Sequence, residues 1–235
     1  MEKAKKEKLA AGGLPKTIAF VGKAQSGKTR LIQRLIPELK KRGLRVAVIK
    51  HCVHGFDLDV EGKDSWQFME AGSDGVAMVG PDRLAVIRRK AGAKDFQAIA
   101  RQYFKDIDIV LVEGGKTVKG LKKIEVLRKG LSEKVETSPE DLLAVISDFE
   151  VPVAKPIFRP NRIGQIAKFL ESGIKGKIPH VYLDVDGDSI PLNAFVQEIF
   201  EDIAAGMVHS LQGVKKNPKS IIISVTRRNG KDEKL

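Results

Sequence analysis

Apolar residues fall in short runs along most of this chain, and the stretches between the runs repeat their apolar positions at helical spacing. Thr17–Val21, Arg45–Lys50, Ile107–Val112, Ile124–Leu127 and Leu142–Ile146 read as buried strands. Leu31, Ile32, Leu35, Ile36 and Leu39 line one face of a helix that Gly43 ends. Pro37 lies inside that helix and predicts a kink or a missing hydrogen bond. Asp64–Ala71 and Asp95–Phe104 are shorter helices, and Asn161–Glu171 is a helix with Asn161 as its N-cap. Val76–Val79 and Leu84–Ile87 flank Gly80-Pro81-Asp82-Arg83, a turn-forming tetrad, and predict a hairpin.

Strands separated by helices imply an α/β protein whose mainly parallel sheet is covered on both faces, a three-layer sandwich. Ligands of such sheets sit beyond the carboxyl ends of the strands. The residues placed there are the segment after Val21, Lys50-His51, Glu113-Gly114 and Asp148. The chain divides into a basic tail at 1–13, the α/β domain at 14–172, a linker at 173–180 and a small C-terminal α+β module at 181–235. In the module, Val181–Val185 and Ser189–Pro191 bracket the turn Asp186-Gly187-Asp188. Asn193–Leu211 is an amphipathic helix and Ile221–Val225 a last strand, a ββαβ extension.

The segment after the first strand carries the sharpest chemical signal. Gly22-Lys23-Ala24-Gln25-Ser26-Gly27-Lys28-Thr29 fits G-x-x-x-x-G-K-[ST] between a strand and a helix, a phosphate-binding loop of the nucleotide triphosphatase type. The glycines let the backbone turn and aim its N–H groups inward at phosphate oxygens. Lys28 brings a positive charge to the β and γ phosphates, Thr29 offers a hydroxyl to Mg²⁺, and the following helix points its positive end at the same anion. Glu113 ends the most apolar strand and is the acid expected to face the metal, directly or through water. Asp108 begins that strand and reads as a strand-entry residue. Asp148 ends another strand, where a carboxylate can accept two hydrogen bonds from guanine N1 and N2 that adenine does not donate.

Residues 50–59, Lys50-His51-Cys52-Val53-His54-Gly55-Phe56-Asp57-Leu58-Asp59, mix imidazoles, a thiol and carboxylates. They read as a loop over the phosphates, with Asp57 or Asp59 near the metal. A zinc site from His51, Cys52 and His54 is the alternative, although adjacent His and Cys side chains seldom converge on one ion. A plain surface loop is the third reading.

Composition narrows the partners. The formal charge of +12 over 235 residues favours anionic ligands, although a lysine-rich solvated surface accounts for much of it. Aromatic content of 6% and no stacking motif argue against a nucleic-acid surface. One cysteine makes no disulfide within the chain and fits a reducing cytoplasm. No run is long enough to cross a bilayer, and residues 1–8 lack the apolar stretch of a signal peptide.

Taken in order, Gly22–Thr29, Arg45–His51, His54–Asp59, Gly62–Ser65, Glu70–Gly72 and Asp108–Gly114 resemble the molybdopterin-guanine dinucleotide biosynthesis adapter family (MobB), over roughly residues 14–172. The resemblance implies a phosphate-loop NTPase-type fold and a cytoplasmic, dimeric, GTP-binding protein with weak GTPase activity. It also implies Mg²⁺ and a molybdenum cofactor guanylyltransferase as partner, which joins GMP to molybdopterin. Lys28, Thr29 and the loop amides then hold GTP, Glu113 is the family's strand-end acid, and Lys28, Glu113 and Asp57 carry what catalysis there is. Lys50, His51, His54, Asp57, Asp59, Lys63 and Asp64 match a signature that lies by the nucleotide and the molybdopterin. Arg30 stands where the family often has a second threonine touching the α-phosphate, Val53 interrupts what is often a histidine pair, and Gly115 replaces an aromatic. Three other functions stay open on the residues alone. One is a phosphate-loop kinase of a small metabolite, with Arg88-Arg89-Lys90 as its lid. The others are a metal-insertion GTPase and, last, a nucleic-acid module.

Overall fold

The computed structural model describes residues 15–89, 95–174, 181, 183–185, 188–190, 192–214, 218 and 221–225. A six-stranded sheet has the order β2-β5-β1-β6-β7-β8, and every neighbouring pair is parallel. Its strands are β1 (Lys16–Val21), β2 (Val46–Lys50), β5 (Ile109–Glu113), β6 (Lys123–Val126), β7 (Leu142–Ile146) and β8 (Ile157–Phe158). Side chains alternate across a strand, so β1 feeds two cores. Ile18 and Phe20 pack with Leu31, Leu35 and Leu39 of α1 (Lys28–Lys41) and with Ile166 and Leu170 of α4 (Ile163–Ser172). Ala19 and Val21 pack on the other face with Phe96 and Ala100 of α3 (Phe96–Tyr103). The three layers are those the pattern predicts.

β1 lies inside the sheet between β5 and β6. The loop after it therefore opens between the ends of those two strands. α1 runs through Pro37 as one helix, although Pro37 has no N–H to give the Gln33 carbonyl. Arg42 closes its far end onto Glu38 and onto Glu171 of α4. Asp108 pairs with Arg45 at 3.0 Å at the strand entry, the role its position predicts.

α2 (Asp64–Glu70) leads into the hairpin of β3 (Gly75–Val79) and β4 (Leu84–Arg88), which forms a separate antiparallel pair. Met78, Val79, Leu84 and Val86 are exposed on it. Beyond the main domain, β9 (Leu183–Val185) and β10 (Asp188–Ile190) pair antiparallel, and Asn193 caps α5 (Ala194–His209) through the Val196 N–H.

Two expectations need correction, and one strand had none. Asn161 does not cap α4: Arg162 holds the N-cap position, with no side-chain acceptor on the first-turn amides. β8 is too short, at two residues, to leave a pattern. Residues 221–225 form no strand, and Ile222 and Val225 are largely exposed, because no edge pairs with them among the described residues. The described part of the module is ββα. The tail at 1–13, most of the 173–180 linker and Lys90 of the expected lid lie outside the described residues.

Candidate nucleotide site

The loop from Gly22 to Thr29 takes the shape its glycines allow. Gly22 has φ +143° and Gly27 +95°, and Gln25 is held at +62° between them. Gly22 also answers to space: a Cβ there would stand 2.4 Å from the Val126 carbonyl oxygen at the end of β6. Gly27 precedes α1, and no side chain caps the first turn, so its amides face outward unclaimed. The Lys28 ammonium curls back over the loop and donates to the carbonyls of Gly22 at 3.0 Å and Lys23 at 2.6 Å. Burial lowers its pKa from the ordinary lysine value, and the Glu113 charge works against that shift.

Thr29 and Glu113 meet at the β5 side of this loop, where the threonine hydroxyl donates to the Glu113 carboxylate. A hydroxyl and a carboxylate oxygen converging at a phosphate loop form the hard-oxygen donor set that Mg²⁺ takes, with waters and phosphate completing the shell. Lys50 stands level with Glu113 in the β2–β5 register. His51 donates its N–H to the Glu113 carbonyl at 2.9 Å, and its ring meets Phe96 edge-on at 5.2 Å. Phe96 also fills the space beside Gly115, where a Cβ would stand 2.8 Å from its ring. That contact gives a physical reason for a glycine at this position.

The remaining signature residues are less gathered. His54 and Asp57 are exposed on the 51–63 loop, and among the described residues no hydrogen bond joins them to the phosphate loop. Asp59 accepts from Ser65 Oγ at 2.8 Å and from the Val60 N–H at 2.9 Å, which fixes the entry to α2, and its Oδ2 is buried without a partner. Lys63 is the exposed N-cap of α2 and Asp64 its first residue. No group of three metal-ligating side chains occurs among the described residues, so the zinc arrangement does not form there. Arg89, one of the lid candidates, is spent on the Met69 carbonyl at the end of α2. Asp148 lies across from β6, where Oδ1 accepts from the Lys129 N–H at 3.4 Å.

The side of the loop facing β6 holds residues that strand-end reasoning missed. Arg128 follows β6 and donates to the Gln25 carbonyl at 3.3 Å. Lys23, residues 130–134 and Glu136 line an open pocket of about 410 Å³, with Lys134, Glu133 and Glu136 on its wall. Glu136 takes a hydrogen bond from Lys116, which, with the charges of Lys116 and Lys23, holds its carboxyl below the ordinary glutamate range. Buried Glu125 accepts the N–H groups of Glu136 and Thr137 and fixes this loop from beneath. The signal available was Arg128-Lys129 just past an apolar run, the same rule that picked out Glu113.

Comparison with known proteins places this geometry. Residues 17–148 match the family described as molybdopterin guanine dinucleotide synthesis protein B. The chain belongs to the MobB family. The molybdopterin-guanine dinucleotide biosynthesis adapter protein of Haemophilus influenzae is 36% identical over 156 residues, 66% of this chain and 87% of that protein. Its Escherichia coli counterpart is 32% identical over 158 residues, 65% and 90% of the two chains. A putative adapter protein of Methanocaldococcus jannaschii is 23% identical over 235 residues and covers 89% of this chain, reaching past the residues the shorter relatives match. The crystal structure of Bacillus subtilis MobB superposes with a TM-score of 0.55 at 28% identity, covering 69% of this chain and 99% of its own. The family frame thus contains the phosphate loop, β5 with Glu113, and the strand ends of β6 and β7.

Proposed function

We propose that this protein is a GTP-binding adapter that assists guanylyl transfer to molybdopterin in the assembly of the molybdopterin-guanine dinucleotide cofactor. The observation that carries the reading is the phosphate loop with Lys28 inside it and the Thr29–Glu113 pair at its rim, set in a MobB-family chain. The loop amides, the α1 N-terminus and Lys28 bind the polyphosphate. Thr29 and Glu113 would hold Mg²⁺, which when bound neutralises phosphate charge. Asp148 is the candidate reader of guanine.

Few groups are poised for rapid hydrolysis. Asp57 is exposed and no hydrogen bond joins it to the phosphate loop among the described residues, which suits a slow GTPase and an output through a partner, the guanylyltransferase. The engagement of Arg89 with α2 weighs against the kinase lid. The reading includes a cytoplasmic homodimer, with the exposed β3–β4 hairpin as the pairing surface.

Isothermal titration of the full chain with GTP and ATP, each with Mg²⁺, tests the proposal. GTP should bind in the micromolar range and ATP more weakly, and Lys28→Ala should weaken both by roughly a hundredfold. Tighter binding of ATP, or a phosphorylated metabolite formed from it, would overturn the assignment.

A further inference from the structure

Four arginines gather where α1 passes the start of α4. Arg30 and Arg34 lie one turn apart on the exposed face of α1, a spacing that puts their side chains side by side. Arg34 donates to the Pro160 carbonyl at 3.5 Å, which sets it against the turn that carries Arg159 and Arg162. Arg162 N–H closes that turn onto the Arg159 carbonyl at 3.0 Å. All four are exposed, and no carboxylate pairs with them among the described residues. Glu38, the acid one turn beyond Arg34, is engaged by Arg42.

The local physics of both helices opposes this arrangement. Positive charge in the first turn of a helix, or at its N-cap, works against the macrodipole. Arg30 lies in the first turn of α1 and Arg162 at the N-cap of α4, and neither helix has an acid in its first turn. α4 also lacks a side-chain cap, so its leading amides add to the positive field. At α1 the nucleotide phosphates supply the missing negative charge, but the α4 entry, with Arg162 at its N-cap and Arg159 and Arg34 beside it, has no compensating acid of its own and marks a place where that charge comes from outside.

We propose that this arginine face is a docking surface for an acidic protein segment of the guanylyltransferase, seated beside the nucleotide loop. The inference rests on the adapter reading above. Its span, a full turn of α1 plus the α4 entry, exceeds what one phosphate group covers and calls for several carboxylates in a row. No exposed aromatic residue stands at 28–34 or 157–165 to stack a base, which favours protein over single-stranded nucleic acid. Arg30 ties the surface to the phosphate loop, so docking and nucleotide occupancy share one edge.

The test uses the full chain and the triple reversal R34E/R159E/R162E, which spares the nucleotide loop. Its GTP affinity and melting temperature should match the wild type. Affinity for the guanylyltransferase should fall on the order of tenfold or more at low salt, with a flatter salt dependence, and the R34K/R159K/R162K variant should keep most of it. A twenty-residue polyglutamate peptide, followed by fluorescence anisotropy, should show the same order of affinities. If the wild type binds the peptide through these arginines but not the guanylyltransferase, the adapter reading fails and the acidic-ligand surface stands. Unchanged affinity of the triple reversal for both probes overturns the proposal, as does tighter binding of a duplex DNA of equal charge.

Discussion

Lys28 donates its ammonium to two loop carbonyls, and burial lowers its pKa from the ordinary lysine value. Charge at this atom is what phosphate binding needs, and the lowered pKa means the charge is lost sooner as pH rises. GTP affinity should therefore weaken at alkaline pH below the usual lysine range. Lys28→Arg, always charged, should weaken binding at neutral pH yet lose that alkaline limb. Titrations from pH 7 to 10 check this, and an identical limb in the arginine variant would refute it. Lys28→Ala should cost about 3 kcal/mol of binding, roughly a hundredfold, the size of a lost charge-assisted hydrogen bond. Gly22 makes a different prediction. The Val126 oxygen that a Cβ would strike belongs to the backbone at the end of β6, a strand held between β1 and β7, and cannot swing aside. Gly22→Ala should lower stability by about 1–3 kcal/mol in urea titration, as well as disabling the loop. Gly27 has open space around its Cβ position, so alanine there meets only the left-handed φ.

At the scale of elements, the β6–β7 pair depends on a buried ion pair. Lys123 and Asp141 meet at 2.9 Å with side chains 4% and 9% exposed, beside a register shift between Lys123 and Ile124. The Lys123 hydrogen bond, chiefly, holds the Asp141 pKa below its ordinary value. A lowered carboxylate pKa stabilises the fold at neutral pH. That contribution is complete above the unfolded-state pKa and is lost as pH falls through the lower folded value. Asp141→Asn would strand the buried ammonium and should cost about 3–5 kcal/mol at neutral pH. The deficit should shrink as pH falls from about 4, where the unfolded chain's aspartate takes up its proton, toward the lower folded value, where the native carboxylate does so too. Chemical denaturation at pH 7 and pH 3 measures both. The apolar strands β1 and β5 were legible because burial on both faces writes itself as an unbroken run. β6 was only partly so: Lys123 and Glu125 look like solvent residues until the partners that bury them, Asp141 and the 136–137 amides, are brought near by folding. Ile221–Val225 shows the reverse case, an apolar run of the right length with no sheet edge to receive it. The phosphate loop and the Thr29–Glu113 meeting could be read in advance because motif spacing and strand-end position are local facts. Arg128 could have been read by the same rule. The pocket could not, since its wall comes from a loop held by Glu125.

At the scale of the whole molecule, the apolar surfaces of the β3–β4 hairpin and of α5 lie outside the three-layer core, and they should behave differently. The β3–β4 hairpin lies within the span shared with the family, and Val79 and Leu84, opposite each other in its register, are 81% and 68% exposed. If a second copy covers this hairpin, Val79→Glu with Leu84→Glu should convert the dimer to monomer in light scattering while GTP binding persists. A monomeric wild type would remove the dimer from the reading. α5 carries the other surface, with Phe195, Ile203 and Met207 exposed along it. The Bacillus subtilis structure is 99% covered by 69% of this chain, so a MobB fold stands without a counterpart to most of the remainder. The phosphate loop, Glu113 and both cores draw every residue from positions 16 to 170. A chain ending at Ile174, which packs on the α1–α4 core, should therefore fold, melt cooperatively and bind GTP within about twofold of the full chain, because none of the interactions that hold the loop is removed. Calorimetry and titration of the shortened chain decide the matter. A large loss of GTP affinity with the fold intact would mean that the C-terminal module reaches the nucleotide site, and the division of labour between domain and module would have to be redrawn.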